Sequence, residues 1–274
     1  MPMYIQTNVA SSVAQNSLAR TQGALAQNFT KLSSGFRING ASDDAAGLGI
    51  AKSFEAQVRS YAVAERNAND GISMAQTADG VSEQVHGILV RMRELAVQGS
   101  NGTLNSNDSQ NLNTEFTALR SEIDRIANVT TFNGTAVVDS YSTVTFQVGI
   151  NNSSDNQISV SFGGANVSGL GLSGLAVSTA SDAQGAITTI DTAIQTLSQV
   201  RARFGTAINR LQGAVSNLQS MQTNMSASLS RIRDVDIAAE TSSLARNQVL
   251  SQAGASVLSQ ANQSPQLALS LLRG

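Results

Sequence analysis

Residues 187–232 read ITTIDTAIQTLSQVRARFGTAINRLQGAVSNLQSMQTNMSASLSRI, and this run decides the fold class. Apolar side chains stand at Ile187, Ile190, Ile194, Leu197, Phe204, Ile208, Leu211, Val215, Leu218, Met225, Leu229 and Ile232, alternating at three and four residues. Only Arg201 and Gln222 interrupt them. That spacing marks a single helix laying one seam on a partner helix. At ~1.5 Å per residue such a helix is ~70 Å long, more than an ordinary globular domain needs.

Upstream, Ser181 or Asp182 is placed to cap this helix, after a Gly-rich run SGLGLSGL. Before that the period drops to two. Val144, Phe146, Val148 and Ile150 alternate, then Ile158, Val160 and Phe162, with NNSSDNQ between them, which predicts a β-hairpin over about 144–162. Further upstream, Leu112, Phe116, Leu119, Ile123 and Ile126 predict a helix. A longer helical pattern precedes it on Phe54, Val58 and Tyr61, then Met74, Ala78, Val81, Val85, Ile88, Met92 and Leu95, ending at the loop QGSNGTLNSND. An N-terminal helix carries Val9, Val13, Leu18, Leu25, Phe29, Leu32 and Phe36 and stops at INGASDDAAG, where Ser42 or Asp43 is placed to cap the next one.

Downstream, the register slips at Arg233–Asp236. A last helix carries Ile237, Leu244, Leu250, Val257, Leu258, Leu267, Leu271 and Leu272. Neither end helix buries a full stripe alone, so the first is expected to pair with the last. The predicted fold is mainly α: a long antiparallel helical rod or coiled-coil bundle with paired terminal helices and a small β-hairpin. Four stretches follow: 1–44 and 234–274 form a paired terminal domain, and 45–180 with 181–233 form the rod. A two-helix pair leaves apolar surface on its outer faces, which calls for further copies of the chain, and head-to-tail contacts that do not close give a helical filament.

Composition narrows the function classes. Of 274 residues, 17 are Lys or Arg and 19 Asp or Glu, with no basic block, so a nucleic-acid footprint is not expected. There is no Cys and a single His, His86, with no second ligand at metal spacing, so neither a metal site nor another cofactor is expected. Asp43-Asp44 reads as a helix start rather than a catalytic pair. Gly169, Gly171 and Gly174 spell G-x-G-x-x-G, but no helix opens directly after them, so dinucleotide binding is not expected. The N-terminus lacks a basic region followed by an apolar core, and no stretch is long and apolar enough to span a bilayer; a route out of the cell without a cleavable signal peptide is the expectation.

The segments KLSSGFRINGASDDAAGLGIA, RNANDGISMAQTADG, RMRELAVQGSNGT and QAGASVLSQANQSPQLALSLLRG resemble bacterial flagellin over residues 1 to about 135 and about 180 to 273. The resemblance implies a non-enzymatic filament subunit of the extracellular flagellum, in a short form lacking the outer variable domains. It implies export in an unfolded state by the flagellar type III system, and an export chaperone bound at about 236–273. Other implied neighbours are the filament cap and the hook-filament junction proteins. Filament-core packing falls to Leu18, Leu25, Phe29, Leu32, Phe36, Leu244, Leu250, Val257, Leu258, Leu267, Leu271 and Leu272.

In flagellins sensed by animal Toll-like receptor 5, the matching contact positions are Arg91, Leu95 and Glu115. Read from the residues alone, Leu95 closes the helical seam while Arg91 and Glu115 are surface or inter-subunit charges. The sequence departs from the family at Asp234-Val235-Asp236-Ile237-Ala238, where Ile237 stands in place of a frequent tyrosine. The alternative reading is a hook-filament junction protein, which resembles flagellin at its ends but assembles as a short ring.

Overall fold

The structure, a computed structural model, describes residues 7–272, with side chains described through residue 263. Among the described residues, five helices, α1 (Val9–Ser34), α2 (Ala45–Gly99), α3 (Ser106–Val129), α4 (Ala180–Arg233) and α5 (Ile237–Leu272), carry most of the length. Two antiparallel strand pairs lie between α3 and α4: β1 (Thr131–Phe132) with β2 (Thr135–Ala136), and β3 (Ser142–Gln147) with β4 (Gln157–Phe162). The chain divides into two compact units, one of residues 1–56 with 224–274 and one of residues 57–223.

Helix ends follow local hydrogen bonding. The Asn8 side chain accepts from Ser11 N at the start of α1, and Gly35, at φ 74°, closes its end by donating to Lys31 O. Helix α2 is capped one residue later than expected: Asp44 Oδ1 accepts from Gly47 N at 2.8 Å. Asp43 instead ties the preceding turn, its Oδ2 accepting from Asn39 N and Gly40 N, and these two N–H groups hold its carboxyl below its ordinary pKa. Helix α4 is capped by Thr179, whose Oγ1 accepts from Asp182 N at 3.1 Å, rather than by Ser181 or Asp182.

In the first unit α1 and α5 run antiparallel, joined near one end by Asn8 Nδ2 donating to Ala261 O (2.8 Å) and near the other by Asn28 Nδ2 donating to Glu240 Oε1 (2.5 Å). The two helix breaks are stapled together. Phe36 and Asp234 form an antiparallel bridge, Val235 N donates to Gly35 O, and Arg37 N donates to Arg233 O. The Arg233 guanidinium lies 4.1 Å from the centre of the Phe36 ring and 3.6 Å from Glu55 Oε2.

The second unit holds the larger core. Val85, Leu89, Met92 and Leu95 of α2, Phe116 and Ile123 of α3, and Ile190, Leu197, Phe204 and Leu211 of α4 are buried together. The β3–β4 hairpin covers one side, with Val144 opposite Val160 and Phe146 opposite Ile158. Phe162 stacks on Phe204 at 5.7 Å. The second, smaller hairpin turns at Asn133-Gly134, both at positive φ.

The Gly-rich run is a packed cover rather than an open linker. Val167, Leu170, Leu172 and Val177 are buried. Polar side chains of α3 hold the backbone around them: Asp124 accepts from Val167 N, Asn113 accepts from Val177 N, and Arg120 donates to Leu175 O.

Candidate functional site

Two surfaces matter, the α1–α5 pair and the exposed ridge where α2 meets α3. The seam between α1 and α5 steps through Ser11, Ala14, Leu18, Thr21, Leu25, Asn28 and Leu32, all at least half-buried. Opposite them, Glu240, Leu244, Asn247, Ser251, Gly254, Leu258 and Ala261 of α5 are half-buried. Small and polar residues thus fill more than half of this contact, and leucines the rest. Ser11 Oγ donates to Asn262 Oδ1 at 2.7 Å, and Asn28 bridges Glu240 and Asn247.

Further apolar side chains stand beside that seam. Phe29 is 55% exposed, Leu250 51% and Val257 57%, and Val9, Val13, Ile237 and Val249 are exposed with them. Of the expected filament-core residues, the structure therefore places Leu18, Leu25, Leu32, Phe36, Leu244 and Leu258 half-buried, and Phe29, Leu250 and Val257 on the outer faces. The side chains of Leu267, Leu271 and Leu272 lie outside the described residues. Sequence reading missed the buried Asn28, because a search for apolar periodicity steps from Leu25 to Phe29, whereas the seam steps from Leu25 to Asn28 to Leu32.

At the α2–α3 ridge, Arg91 and Glu115 come together. Arg91 Nη2 and Nε donate to Glu115 Oε1 at 2.8 and 3.0 Å, and Arg91 Nη1 donates to Glu94 Oε2 at 3.0 Å. Glu115 and then Glu94 raise the pKa of the guanidinium. Leu95 does not join them at the surface; it is 1% exposed and belongs to the core of the second unit. A neighbouring pair, Arg93 with Asp191 at 2.6 Å, ties α2 to α4.

The remaining candidates from the sequence are placed as follows. His86 is half-buried on α2. Gly171 and Gly174 lie in turns at positive φ, well before the first residue of α4. Among the described residues, no cluster of three or more His, Cys, Asp or Glu is arranged to hold a metal ion, and no helix is long and apolar enough to cross a membrane.

Residues 5–143 match the family model of the bacterial flagellin N-terminal helical region, and residues 187–272 match that of the C-terminal helical region. The chain belongs to the bacterial flagellin family. A flagellin of Halalkalibacterium halodurans is 40% identical over 99% of this chain and all of its own length. A flagellin of Bacillus subtilis is 38% identical over 99% of this chain and all of its own length. The crystal structure of Bacillus cereus flagellin superposes with a TM-score of 0.51 at 34% identity, covering 60% of this chain and 94% of that one. A flagellin is a structural component of the flagellar filament, which lies outside the cell, and not an enzyme. With near-equal length to the first of these relatives, this chain is a flagellin without an outer variable domain.

Proposed function

We propose that this flagellin polymerises through α1 and α5 into the inner tube of the filament. The observation that carries this is the apolar surface left outside the pair: Leu18, Leu25, Leu32, Leu244 and Leu258 share the α1–α5 seam with small and polar residues, while Phe29, Val249, Leu250 and Val257 face outward. An apolar surface of that kind on a water-soluble pair is stabilised when further copies cover it, at about 25 cal/mol per Å² of apolar area removed from water.

Before secretion a flagellar export chaperone would bind the segment of about 236–273, whose described part carries the exposed Ile237, Val249, Leu250 and Val257, and the subunit would then travel unfolded through the type III apparatus. At the growing tip the subunit would meet the filament cap, and at the base the junction proteins. A second reading rests on the ridge: the exposed Arg91–Glu115 pair supports recognition by Toll-like receptor 5, with Leu95 acting from beneath by holding α2 in place.

The test is seeded assembly, with short sheared filaments added to purified monomer and the products viewed by electron microscopy. Long filaments from the unmodified chain, and none from Leu250→Asp with its second unit still melting as before, are the expected outcome. Short rings instead of filaments would favour the hook-filament junction protein.

A further inference from the structure

In the second unit a groove of about 350 Å³ runs between β4 and α4, flanked by Arg203 and Arg210 and by the hydroxyls of Ser159, Ser161 and Thr206. Both arginines are exposed and have no ion-pair or hydrogen-bond partner among the described residues. Of the other arginines of this unit, Arg91, Arg93, Arg125 and Arg201 stand in ion pairs and Arg120 on a backbone carbonyl, while Arg66 of α2 is, like these two, without a partner among the described residues. Arg203 and Arg210 are two helical turns apart, ~10 Å along α4.

The matching spacing lies on α3 of the same chain. Asp108, Glu115 and Glu122 follow one another at seven-residue intervals along one flank of that helix. Asp108 has no ion-pair partner among the described residues. Glu115 and Glu122 each hold one arginine of their own chain, and a carboxylate has lone pairs left for further donors.

We propose that the Arg203–Arg210 groove receives the Asp108–Glu115–Glu122 flank of a second copy of this chain. The proposal rests on the filament reading and names a contact within it. Groove and flank are different surfaces, so the contact is heterologous: each copy still offers a groove to one neighbour and a flank to another, and the contact propagates instead of closing as a two-fold dimer. A net charge of only −2 fits a surface on which opposite charges are sorted onto separate faces rather than one built for polyanions.

Direction and register follow from the ion pairs. Arg93 meets Asp191 and Asp79 meets Arg201, so α4 runs antiparallel to α2; α3, returning from α2 so that Glu115 meets Arg91, runs parallel to α4. Copies sharing one direction along a filament therefore set α3 parallel to the neighbour's α4. Asp108 then meets Arg203 while Glu115 meets Arg210, or Glu115 meets Arg203 while Glu122 meets Arg210. Glu115 is level with Arg91 and Asp191 with Arg93, which gives axial offsets between neighbours of ~25 Å for the first register and ~15 Å for the second.

The chain has no cysteine, so cross-linking reads this directly. Arg210→Cys and Glu115→Cys chains, copolymerised from unmodified seeds and oxidised, are expected to give mixed disulfide dimers in filaments and none as monomers; Arg210→Cys with Glu122→Cys reads the second register. In parallel, Arg203→Glu/Arg210→Glu should slow seeded elongation about tenfold at low salt, with most of the loss removed at high salt and the melting temperature unchanged. Filaments without either cross-link, elongating normally with both arginines reversed, would overturn the proposal while leaving the filament reading intact. Failure of the unmodified chain to elongate would sink the filament reading itself. A chain whose reversed arginines abolish binding to an acidic polymer such as polyphosphate, but not elongation, would reassign the groove to that ligand.

Discussion

Gly71 of α2 lies directly under Phe146 of β3. A Cβ added to Gly71 would stand 3.1 Å from the Phe146 ring and 3.1 Å from a Leu211 methyl. The missing side chain is what lets the hairpin settle against α2 and α4. Gly in a helix interior costs roughly 0.5–1 kcal/mol against Ala, so the close approach offsets a propensity loss. Gly71→Leu is expected to lift the hairpin and destabilise the second unit by about 1–3 kcal/mol. Thermal unfolding by circular dichroism, with near-UV signal read for loss of packing around Phe146, checks it; an unchanged transition would show that the hairpin is not seated by this contact.

The same contact explains what the sequence could and could not tell. Apolar periodicity located the long helices because Leu, Ile and Val at three-four spacing carry the burial in α3 and α4. Between Tyr61 and Met74 that signal fades although α2 is continuous. The seam there is made of Ala64, Ala68 and Gly71, which are buried because something large packs down on them. Small residues in a seam look the same as small residues on a surface until the partner is known. The β1–β2 hairpin was missed: Asn133-Gly134 suits a two-residue turn, as its positive φ values show, but its two-residue strands are too short to show a period. The packed cover over α3 was hidden for a different reason: its fastening is by backbone N–H groups onto Asp124 and Asn113, which leaves no pattern in side-chain hydropathy.

Asn28, 7% exposed in the α1–α5 seam, donates to Glu240 and accepts from Asn247. A polar group at one seam position fixes register at a cost in stability, because any slip leaves it unpaired. Asn28→Ala is expected to weaken the pair by about 1–3 kcal/mol, since Glu240 and Asn247 lose their partner. In seeded assembly this should raise the critical concentration by about fivefold or more. Asn28→Leu separates the two roles: it leaves Glu240 and Asn247 without their partner as Asn28→Ala does but fills the seam, so filaments of mixed twist would assign Asn28 to register. Uniform filaments from Asn28→Leu would remove that role.

Acid should loosen the second unit through its surface carboxylates. The Arg93 guanidinium, chiefly by its hydrogen bonds, holds Asp191 below its ordinary pKa, and Arg125 does the same to Glu122. A carboxylate depressed in the folded state stabilises that state at pH above its unfolded pKa, and the contribution is lost as pH falls through the folded value. Both groups are exposed and screened, so each effect is small. The melting temperature is expected to be flat from about pH 7 to 5 and to fall below about pH 4. Asp191→Asn should lower the plateau slightly and make the acid limb shallower. An acid limb identical to that of the unmodified chain would exclude the Arg93–Asp191 pair as a contributor.

Arg91 and Leu95 occupy neighbouring turns of α2 but answer to different physics, and this separates recognition from folding at the ridge. Arg91 is exposed and paired with Glu115, so Arg91→Ala is expected to leave the melting temperature within the small range typical of surface changes. Leu95 is 1% exposed, and Leu95→Ala removes buried methyl groups from the core, at about 2–5 kcal/mol. If Toll-like receptor 5 reads this ridge, Arg91→Ala should weaken binding of the monomer to the receptor ectodomain while thermal stability is retained. Leu95→Ala should weaken it in proportion to loss of the α2–α3 packing, with binding recovering on cooling or on adding a stabilising osmolyte. Full receptor binding by Arg91→Ala would move the recognition surface away from the ridge. Weak binding by Leu95→Ala that no stabilisation recovers would mean that the receptor displaces α3 and touches Leu95 directly.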